Sequence, residues 1–219
     1  MKSYTLEFTS RGYSFKQAMP EDLDAMAEIE LENFAGTDLL VTRDDMQEWY
    51  DHNSDMFYVI KDKNDVAVAF GIVLPVTAEG YEKFRRGEAA DMQMLEKEDV
   101  KKTMRAEHFF VEDVCVTKSL SLMRIKVVGA MLLGGLANVV YNNGGVRTAS
   151  TPVTDDGMIV ESIGYKPLAV CTHNGEDYTI YDIPVTHEVC NKPSVMAGAG
   201  ELPKKRSRKL FANTAQKGP

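Results

Sequence analysis

The sequence predicts a mixed α/β protein in which one sheet is covered by helices. Runs rich in β-branched and aromatic residues at 56–62, 66–76 and 108–117 are typical of strands. No charged residue occurs between 127 and 142, which is typical of a buried helix. Along the chain the segments follow the order β, α, α, β, β, inserted helices, β, α, β, α, β, β, which predicts a mixed sheet with helices packed on it.

The composition is that of an ordinary soluble protein. Hydrophobic residues make up 44% and charged residues 26% of the 219 positions, enough for one core plus additions. We see no signal peptide, and the apolar run at 126–142 is shorter than the roughly 20 residues that cross a bilayer. The three cysteines have no metal-ligand spacing. We therefore expect a cytoplasmic protein without a membrane contact or a metal site.

Charge is distributed unevenly along the chain. Residues 191–219 hold seven basic side chains and one acidic one, so of the net charge of −8, residues 1–190 carry −14. We predict a single domain over 1–190 and a basic, disordered or loosely docked tail over 191–219. The acidic domain argues against nucleic-acid binding and favours a cationic, amine-bearing substrate. The basic run at 204–209 either binds phosphate or an acidic partner, or is a solvated arm.

The first half of the chain contains a strand, two helices and a hairpin. Residues 13–18 are strand-like, and Pro20 followed by two acids marks a helix start. Apolar residues then recur at helical spacing, at Leu23, Met26, Ala27, Ile29 and Phe34. Thr42 is predicted to begin a second helix. The strands 56–62 and 66–76 are separated by turn residues, which predicts a hairpin.

Residues 77–107 interrupt the strand pattern before the strand at 108–117. They are rich in charge and predict one or two solvent-facing helices, inserted between the third and fourth predicted strands. Such an insertion either overhangs a substrate groove or is decorative.

The second half begins with the apolar helix and ends with another hairpin. Gly134 and Gly135 in mid-helix each cost roughly 1 kcal/mol, which close packing against a sheet offsets. Asparagine and glycine at 142–145 stop the helix, and 146–151 is a further strand. Thr154 caps a predicted helix that ends at Gly164. Two last strands flank a turn of His173, Asn174, Gly175 and Glu176.

Three motifs resemble the GNAT acyltransferase superfamily. Residues 126–131, KVVGAM, are similar to its (Arg/Gln)-x-x-Gly-x-(Gly/Ala) turn, whose backbone amides grip the pyrophosphate of coenzyme A. Lys126 and Met131 depart from that pattern. MPEDLDAM at 19–26 resembles the opening of the family's first helix, and IGYKPL at 163–168 its Gly-Phe step. The resemblance covers about residues 10–185 and implies a GNAT-like acyl-CoA N-acyltransferase fold, with a mixed sheet splayed between its fourth and fifth strands.

The resemblance implies transfer of an acetyl group from acetyl-CoA to a primary amine on a small molecule or a protein. It also implies that a homodimer is one option, since many relatives pair through their sheets. The donor would contact residues of the strand and of the helix start that follows it. These are Val114, Cys115, Val116, Lys126, Val127, Val128, Gly129, Ala130 and Met131.

Glu112 matches the position at which the family often places a glutamate that acts as the base. In a regular strand Glu112, Val114 and Val116 share one face, while Asp113 and Cys115 share the other. Glu112 is otherwise a solvated or paired carboxylate, and Asp113 is the alternative base if the alternation is shifted by one residue. We predict Cys115 to be a core residue because no histidine is placed to activate it.

The family's general acid is missing from its usual place. Relatives commonly have a tyrosine four residues before the glycine of the Gly-Phe step, and counting back from Gly164 gives Val160. Tyr165, Ser162 or water are the substitutes, and Tyr165 is also the aromatic residue that packs in that step. The departures at Met131 and Val160 leave open a catalytically silent GNAT-fold module, anchored to a partner by the basic tail.

Overall fold

The computed structural model describes residues 5–8, 12–152 and 164–189. Its strands, numbered in chain order, are β1 (Thr5–Phe8), β2 (Tyr13–Gln17), β3 (Phe57–Asp62), β4 (Ala67–Val76), β5 (His108–Val116), β6 (Arg147–Ser150), β7 (Lys166–His173) and β8 (Glu176–Pro184). Its helices are α1 (Leu23–Phe34), α2 (Arg43–His52), α3 (Ala78–Arg86) and α4 (Leu122–Asn142). Short 3₁₀ turns lie at Pro20–Asp22, Ser54–Met56, Met92–Met94 and Lys97–Asp99.

The strands form one mixed sheet in the order β1-β2-β3-β4-β5-β6-β8-β7. β5 and β6 are parallel, and the other neighbouring pairs are antiparallel. The predicted mixed α/β fold is confirmed, with its insertion between β4 and β5. β1 was not predicted, because four residues are too few to give a periodic signal. The predicted helix from Thr154 and the tail at 191–219 lie outside the described residues.

Both predicted hairpins are confirmed, and their turns explain why local sequence was sufficient. Asp65, with a φ of 61°, closes the β3–β4 turn. Asn174 and Gly175 have φ values of 50° and 89° between the paired residues His173 and Glu176. Positive φ at both central residues is the type I′ geometry, which matches the twist of the flanking strands.

The long helix α4 covers one face of the sheet. A Cβ atom added to Gly135 would lie 2.4 Å from the ring of Phe15, and one added to Gly71 would lie 2.7 Å from Leu136 Cδ1. The helix and the sheet therefore approach closely at these two positions, where a glycine on α4 or on β4 has no side chain to keep them apart. This close approach was predicted from the mid-helix glycines.

The helices α1 and α3 cover the opposite face, and α2 packs on α1. Phe84 of α3 stacks on Phe110 of β5 with 4.1 Å between ring centroids. The prediction of one or two helices in residues 77–107 is confirmed by α3, but the prediction that they simply face solvent is wrong for one side of that helix. These residues contain one α-helix and two 3₁₀ turns, and Tyr81, Phe84 and Met92 are buried. Tyr81 and Phe84 are three residues apart and so share the face of α3 that meets the sheet, while the charges point outward.

The helix α4 begins four residues before the predicted start at Lys126. Its 21 residues span about 31 Å, so length no longer excludes a membrane span. Its most apolar stretch has a mean hydropathy of 1.5, and half of that stretch is buried inside the fold. Length and composition alone therefore do not distinguish α4 from a spanning helix, whereas its contacts with the sheet are those of a core helix.

Two glycines of α4 differ in the space around them, which predicts opposite effects on stability when each is replaced by alanine. We expect G135A to lower the free energy of unfolding by about 1–3 kcal/mol, because its Cβ would overlap the ring of Phe15. G129A is the control, since within the described part of the chain its Cβ would meet only Val116 Cγ2, at 3.8 Å, and alanine favours the helix by up to about 1 kcal/mol. Urea denaturation measures both. Equal destabilisation by the two substitutions would contradict this packing.

Candidate active site

The parallel strands β5 and β6 diverge halfway along β5. Their parallel ladder runs from the His108–Arg147 pair to the Val111–Ser150 pair, whereas β5 continues to Val116. Within the described residues, the C-terminal half of β5 has ladder pairs only with β4. This is the splay that the resemblance to the GNAT superfamily implied.

Along β5, the backbone N–H and C=O groups of successive residues point alternately toward β4 and into the gap that β6 leaves where it diverges. The Thr117 N–H donates to the Val68 carbonyl at 3.0 Å, so Thr117 and Cys115 direct their backbone groups toward β4. The groups of Val114 and Val116 therefore point into the gap, as an additional strand would require. The Val116 carbonyl there accepts a hydrogen bond from Asn33 Nδ2 at 3.3 Å.

A β-bulge lies beside the gap. β4 advances two residues from Gly71 to Val73, while β5 advances three between their partners Val114 and Val111. Gly71 faces α4, so all four of these residues lie on the α4 face. The extra residue in β5 turns both Glu112 and its successor to the opposite face.

The predicted alternation of side chains on β5 is therefore wrong. Glu112 does not share a face with Val114 and Val116 but joins Asp113 and Cys115 on the face covered by α1. The bulge is the reason, because it adds one residue to β5 without a matching residue in β4. Asp113 thus remains on the same side as the predicted base, but it is buried whereas Glu112 is partly exposed.

Four carboxylates and one thiol gather on this face. Cys115 Sγ donates to Glu30 Oε2 at 3.5 Å, and Glu30 Oε1 accepts the Val41 N–H at 3.2 Å. Glu112 Oε2 accepts the Met92 N–H at 3.0 Å and hydrogen-bonds Asp91. Cys115 is buried, as predicted.

Burial changes the acid–base behaviour of the cluster. It raises the pKa of Glu30 to about 7. Burial and the charge of Asp91 raise the pKa of Glu112 well above its usual range, and burial and Glu30 do the same for Asp113. In the described part of the chain, no lysine or arginine forms an ion pair with these carboxylates. The cluster therefore favours protons or other cations.

The insertion at 77–107 holds Glu112 in place. Asp91 and Met92 contact its carboxylate, and Gln93 Nε2 donates to the Leu40 carbonyl in the α1–α2 connection at 2.9 Å. The insertion therefore lies against the carboxylate cluster, which favours the interpretation that it overhangs a substrate groove over the decorative one.

The β7–β8 hairpin meets the α1–α2 connection on the same side of the sheet. Tyr178 Oη donates to Asp38 Oδ1 at 2.7 Å, and Asn174 Nδ2 donates to Asp38 Oδ2 at 3.0 Å. The hydrogen bond to Asp38 raises the pKa of Tyr178 to about 12, which keeps the phenol protonated. Three segments that are distant in sequence thus surround the cluster.

Sequence reasoning missed Glu30, Asp38 and Asp91. A signal existed for Glu30, because it falls at helical spacing within the apolar stripe of α1 that includes Leu23 and Met26. A carboxylate in a buried stripe needs a partner or a ligand. Asp38 and Asp91 gave no signal, since their contacts depend on the fold.

The predicted anion site lies one turn too far along α4. The Ile125 N–H already donates to Ser121 O at 2.9 Å, so the first-turn amides without an intrahelical acceptor are those of Leu122, Met123 and Arg124. The amides at 127–131 lie inside the helix, where they donate along it. Arg124 is exposed in the first turn and was not predicted.

The other predicted donor residues differ in exposure. Lys126 is exposed, Val127, Gly129 and Ala130 are partly buried, and Val128 and Met131 are fully buried. The buried side chains pack in the core, so only the first part of the motif lies at the surface near the gap. Their predicted contact with the donor remains a prediction.

The structure does not bring Tyr165 to Glu112. Tyr165 directly precedes β7, whose Lys166 pairs with Asp182 of β8. β7 lies three strand intervals from β5, a distance of about 14 Å. A general-acid role for Tyr165 therefore gains no support, and Val160 and Ser162 lie outside the described residues.

Comparisons with known proteins give a fold and no sequence match. Neither protein-family models nor curated proteins match the chain. Among solved structures, the GNAT-like decarboxylase GphF in complex with isobutyryl-CoA is similar at a TM-score of 0.60 and 11% identity, over 78% of this chain and 99% of that one. Ard1 from Thermoplasma volcanium gives 0.58 and 10%, over 80% and 99%. The yncA protein of Salmonella typhimurium, solved with acetyl-CoA, gives 0.55 and 13%, over 80% and 95%.

These similarities, together with the splayed sheet, define the fold of the protein. The chain has the acyl-CoA N-acyltransferase fold of the GNAT superfamily. The resemblance that the three motifs indicated is thereby confirmed at the level of the fold.

Proposed function

We propose that this protein is an N-acyltransferase that moves an acetyl group from acetyl-CoA to a primary amine. The observation that carries the proposal is the gap beside β5, into which Val114 and Val116 direct their backbone groups. Two structures with the same fold contain an acyl-CoA, acetyl-CoA in yncA and isobutyryl-CoA in GphF, which supports a thioester donor. We place the enzyme in the cytoplasm as part of the same proposal.

The donor would lie along the gap and end at α4. Its pantetheine arm pairs with Val114 and Val116 as an additional strand, and its diphosphate reaches the first turn of α4. Anions are favoured there by unpaired amides and by the positive end of the helix dipole. Arg124 adds a cation in that turn, and Lys126 lies one half-turn further along the helix.

The acceptor would approach from the carboxylate cluster. An alkylamine is protonated at neutral pH, and making it neutral costs about 4–5 kcal/mol. Glu112 accepts that proton, a task for which its raised pKa is suited because it makes the carboxylate a stronger base than a solvated one. The surrounding carboxylates attract the cationic amine before the proton leaves it.

The bond changes then follow from this placement. The amine nitrogen attacks the thioester carbon, and amides in the gap stabilise the oxygen as it gains charge. The C–S bond breaks, the nitrogen loses its second proton to water, and the coenzyme A thiolate takes a proton from water. No side chain is required as the general acid, because a thiolate is a stable leaving group.

Isothermal titration with acetyl-CoA tests the donor site on the full chain. We expect the wild type to bind, and R124A to bind about tenfold more weakly, because one charge-assisted hydrogen bond to phosphate contributes about 1.5–3 kcal/mol. K126A is the matched control and is expected to change the affinity less. Absence of binding in the wild type would remove the donor and with it the proposal.

The main alternative is a catalytically silent module of the same fold, anchored through its basic tail at 191–219. The GphF structure is described as a decarboxylase, so the fold alone does not fix the reaction. Thiol release from acetyl-CoA, measured against a panel of amines, separates the options. Amine-dependent release supports acyl transfer, whereas binding without release supports the silent module. Loss of salt-sensitive polyanion binding after truncation behind Cys190 would assign the tail its anchoring role.

A further inference from the structure

Three potential metal ligands converge behind β5. Glu30 comes from α1, and Asp113 and Cys115 come from β5, and their ligand atoms all lie within 4.8 Å of one another. All three residues are buried. Two carboxylates and a thiolate form a donor set that suits Zn²⁺, which accepts both sulfur and oxygen ligands.

Asp113 supplies an independent sign that a ligand is missing. The residue is 5% exposed, and its Oδ2 atom has no hydrogen-bond partner among the described residues. Leaving a buried carboxylate oxygen unpaired is costly, and such atoms are rare in folded proteins. A bound cation would satisfy this atom.

The separation between the thiol sulfur and one carboxylate oxygen fits tetrahedral coordination. Cys115 Sγ and Glu30 Oε2 are 3.5 Å apart. Bonds of 2.3 Å to sulfur and about 2.1 Å to oxygen place two tetrahedral ligands about 3.6 Å apart. The other oxygen of Glu30 accepts the Val41 N–H at 3.2 Å, a contact of the kind that orients metal ligands.

The charge balance points the same way. Asp91 and Glu112 lie close enough to act electrostatically on the ligand carboxylates. Among residues 5–8, 12–152 and 164–189, no lysine or arginine pairs with any of them. A divalent cation would supply the compensation that these side chains lack.

We propose that Glu30, Asp113 and Cys115 form a Zn²⁺ site that joins α1 to β5. Three protein ligands leave a fourth position for water or for a neighbouring carboxylate. The site is distinct from the donor gap, because its ligands lie on the α1 face of the sheet. Its expected consequence is stabilisation of the fold by zinc, since an ion that binds only the native state shifts the unfolding equilibrium.

Cobalt substitution tests the site without reference to activity. The full chain is stripped with a chelator and titrated with Co²⁺ and with Zn²⁺ alone. We expect one equivalent of each to bind, a thiolate-to-cobalt charge-transfer band to appear, and zinc to raise the melting temperature. C115S should abolish the band, and D113N should weaken zinc binding at least about tenfold. C171S replaces the other buried cysteine of the described chain and should change neither the cobalt band nor the zinc affinity.

Two results would overturn the proposal. A wild type that shows no thiolate band with Co²⁺ lacks the site, whatever the folding of the variants. A band that survives in C115S, or is lost in C171S, assigns the metal to other ligands. Circular dichroism of each variant verifies that a lost band reflects a lost ligand.

Discussion

E112Q is expected to lower kcat for acetyl transfer by about 100-fold or more, because a positioned base contributes 10²–10⁴-fold. Glutamine keeps the shape of the side chain but cannot accept the amine proton. Its amide can still accept the Met92 N–H at the position of Glu112 Oε2, so the local structure is retained. Acetyl-CoA affinity should not change, since the donor gap is lined by backbone groups of Val114 and Val116, whereas the Glu112 side chain lies on the α1 face. The measurement is steady-state thiol release together with isothermal titration.

E107Q is the matched control for this substitution. Glu107 is exposed and directly precedes β5. Its backbone carbonyl accepts hydrogen bonds from the N–H groups of Val146 and Arg147 at the start of β6, and these bonds do not involve its side chain. Its loss of charge should leave kcat unchanged. An E112Q variant with the wild-type rate would remove Glu112 from the mechanism, and a rate lost only in D113N would assign the role to Asp113.

D22N is expected to lower the free energy of unfolding by about 3 kcal/mol, because it breaks the shorter, buried ion pair of Lys61 and leaves that charge with the exposed Asp65 at 3.7 Å. Asp22 Oδ1 lies 2.6 Å from Lys61 Nζ, and the two side chains are 8% and 10% exposed. Burial acts to lower the pKa of Lys61, but the hydrogen bond and charge of Asp22 outweigh it and raise that pKa. Lys61 therefore stays charged and depends on Asp22. Urea denaturation measures the loss.

D24N is the control, because its ion pair is equally short but exposed. Asp24 Oδ1 lies 2.6 Å from Arg43 Nε, and the Asp24 side chain is 81% exposed. Exposed pairs contribute about 1 kcal/mol or less. Combining D22N with K61M should recover most of the lost stability, because the second substitution removes the stranded charge. Equal losses in D22N and D24N would contradict the importance of burial.

Local signals predicted most of the fold. The β3–β4 and β7–β8 hairpins followed from turn residues whose backbone conformations are restricted, as at Asp65 and Gly175. Thr42 was correctly predicted to begin α2, since its side chain accepts the Asp45 N–H. Each of these features is decided within a few residues of chain, and sequence patterns report on that range.

Features that depend on distant contacts were missed. Nothing near Glu112 in the sequence indicates a bulge, because a bulge is defined by the register with β4. Ser121 begins α4 without a side-chain capping bond and with Arg124 at the third helical position, so no capping signature marked the start. The carboxylate cluster combines residues from α1, β5 and the insertion, and only Glu30 left a sign in its own helix.

The bulge in β5 has a consequence for how such an enzyme can diversify. It turns the Glu112 side chain away from the face of Val114 and Val116, so in the proposed reaction the acceptor meets side chains of β5 while the thioester donor meets its backbone edge. Under the proposed function, we expect substitutions around Asp38 and Asp91 to change acceptor selectivity while thioester recognition along Val114 and Val116 is preserved. A single surplus residue makes the two specificities independently adjustable, which is useful to natural selection and to protein engineers alike.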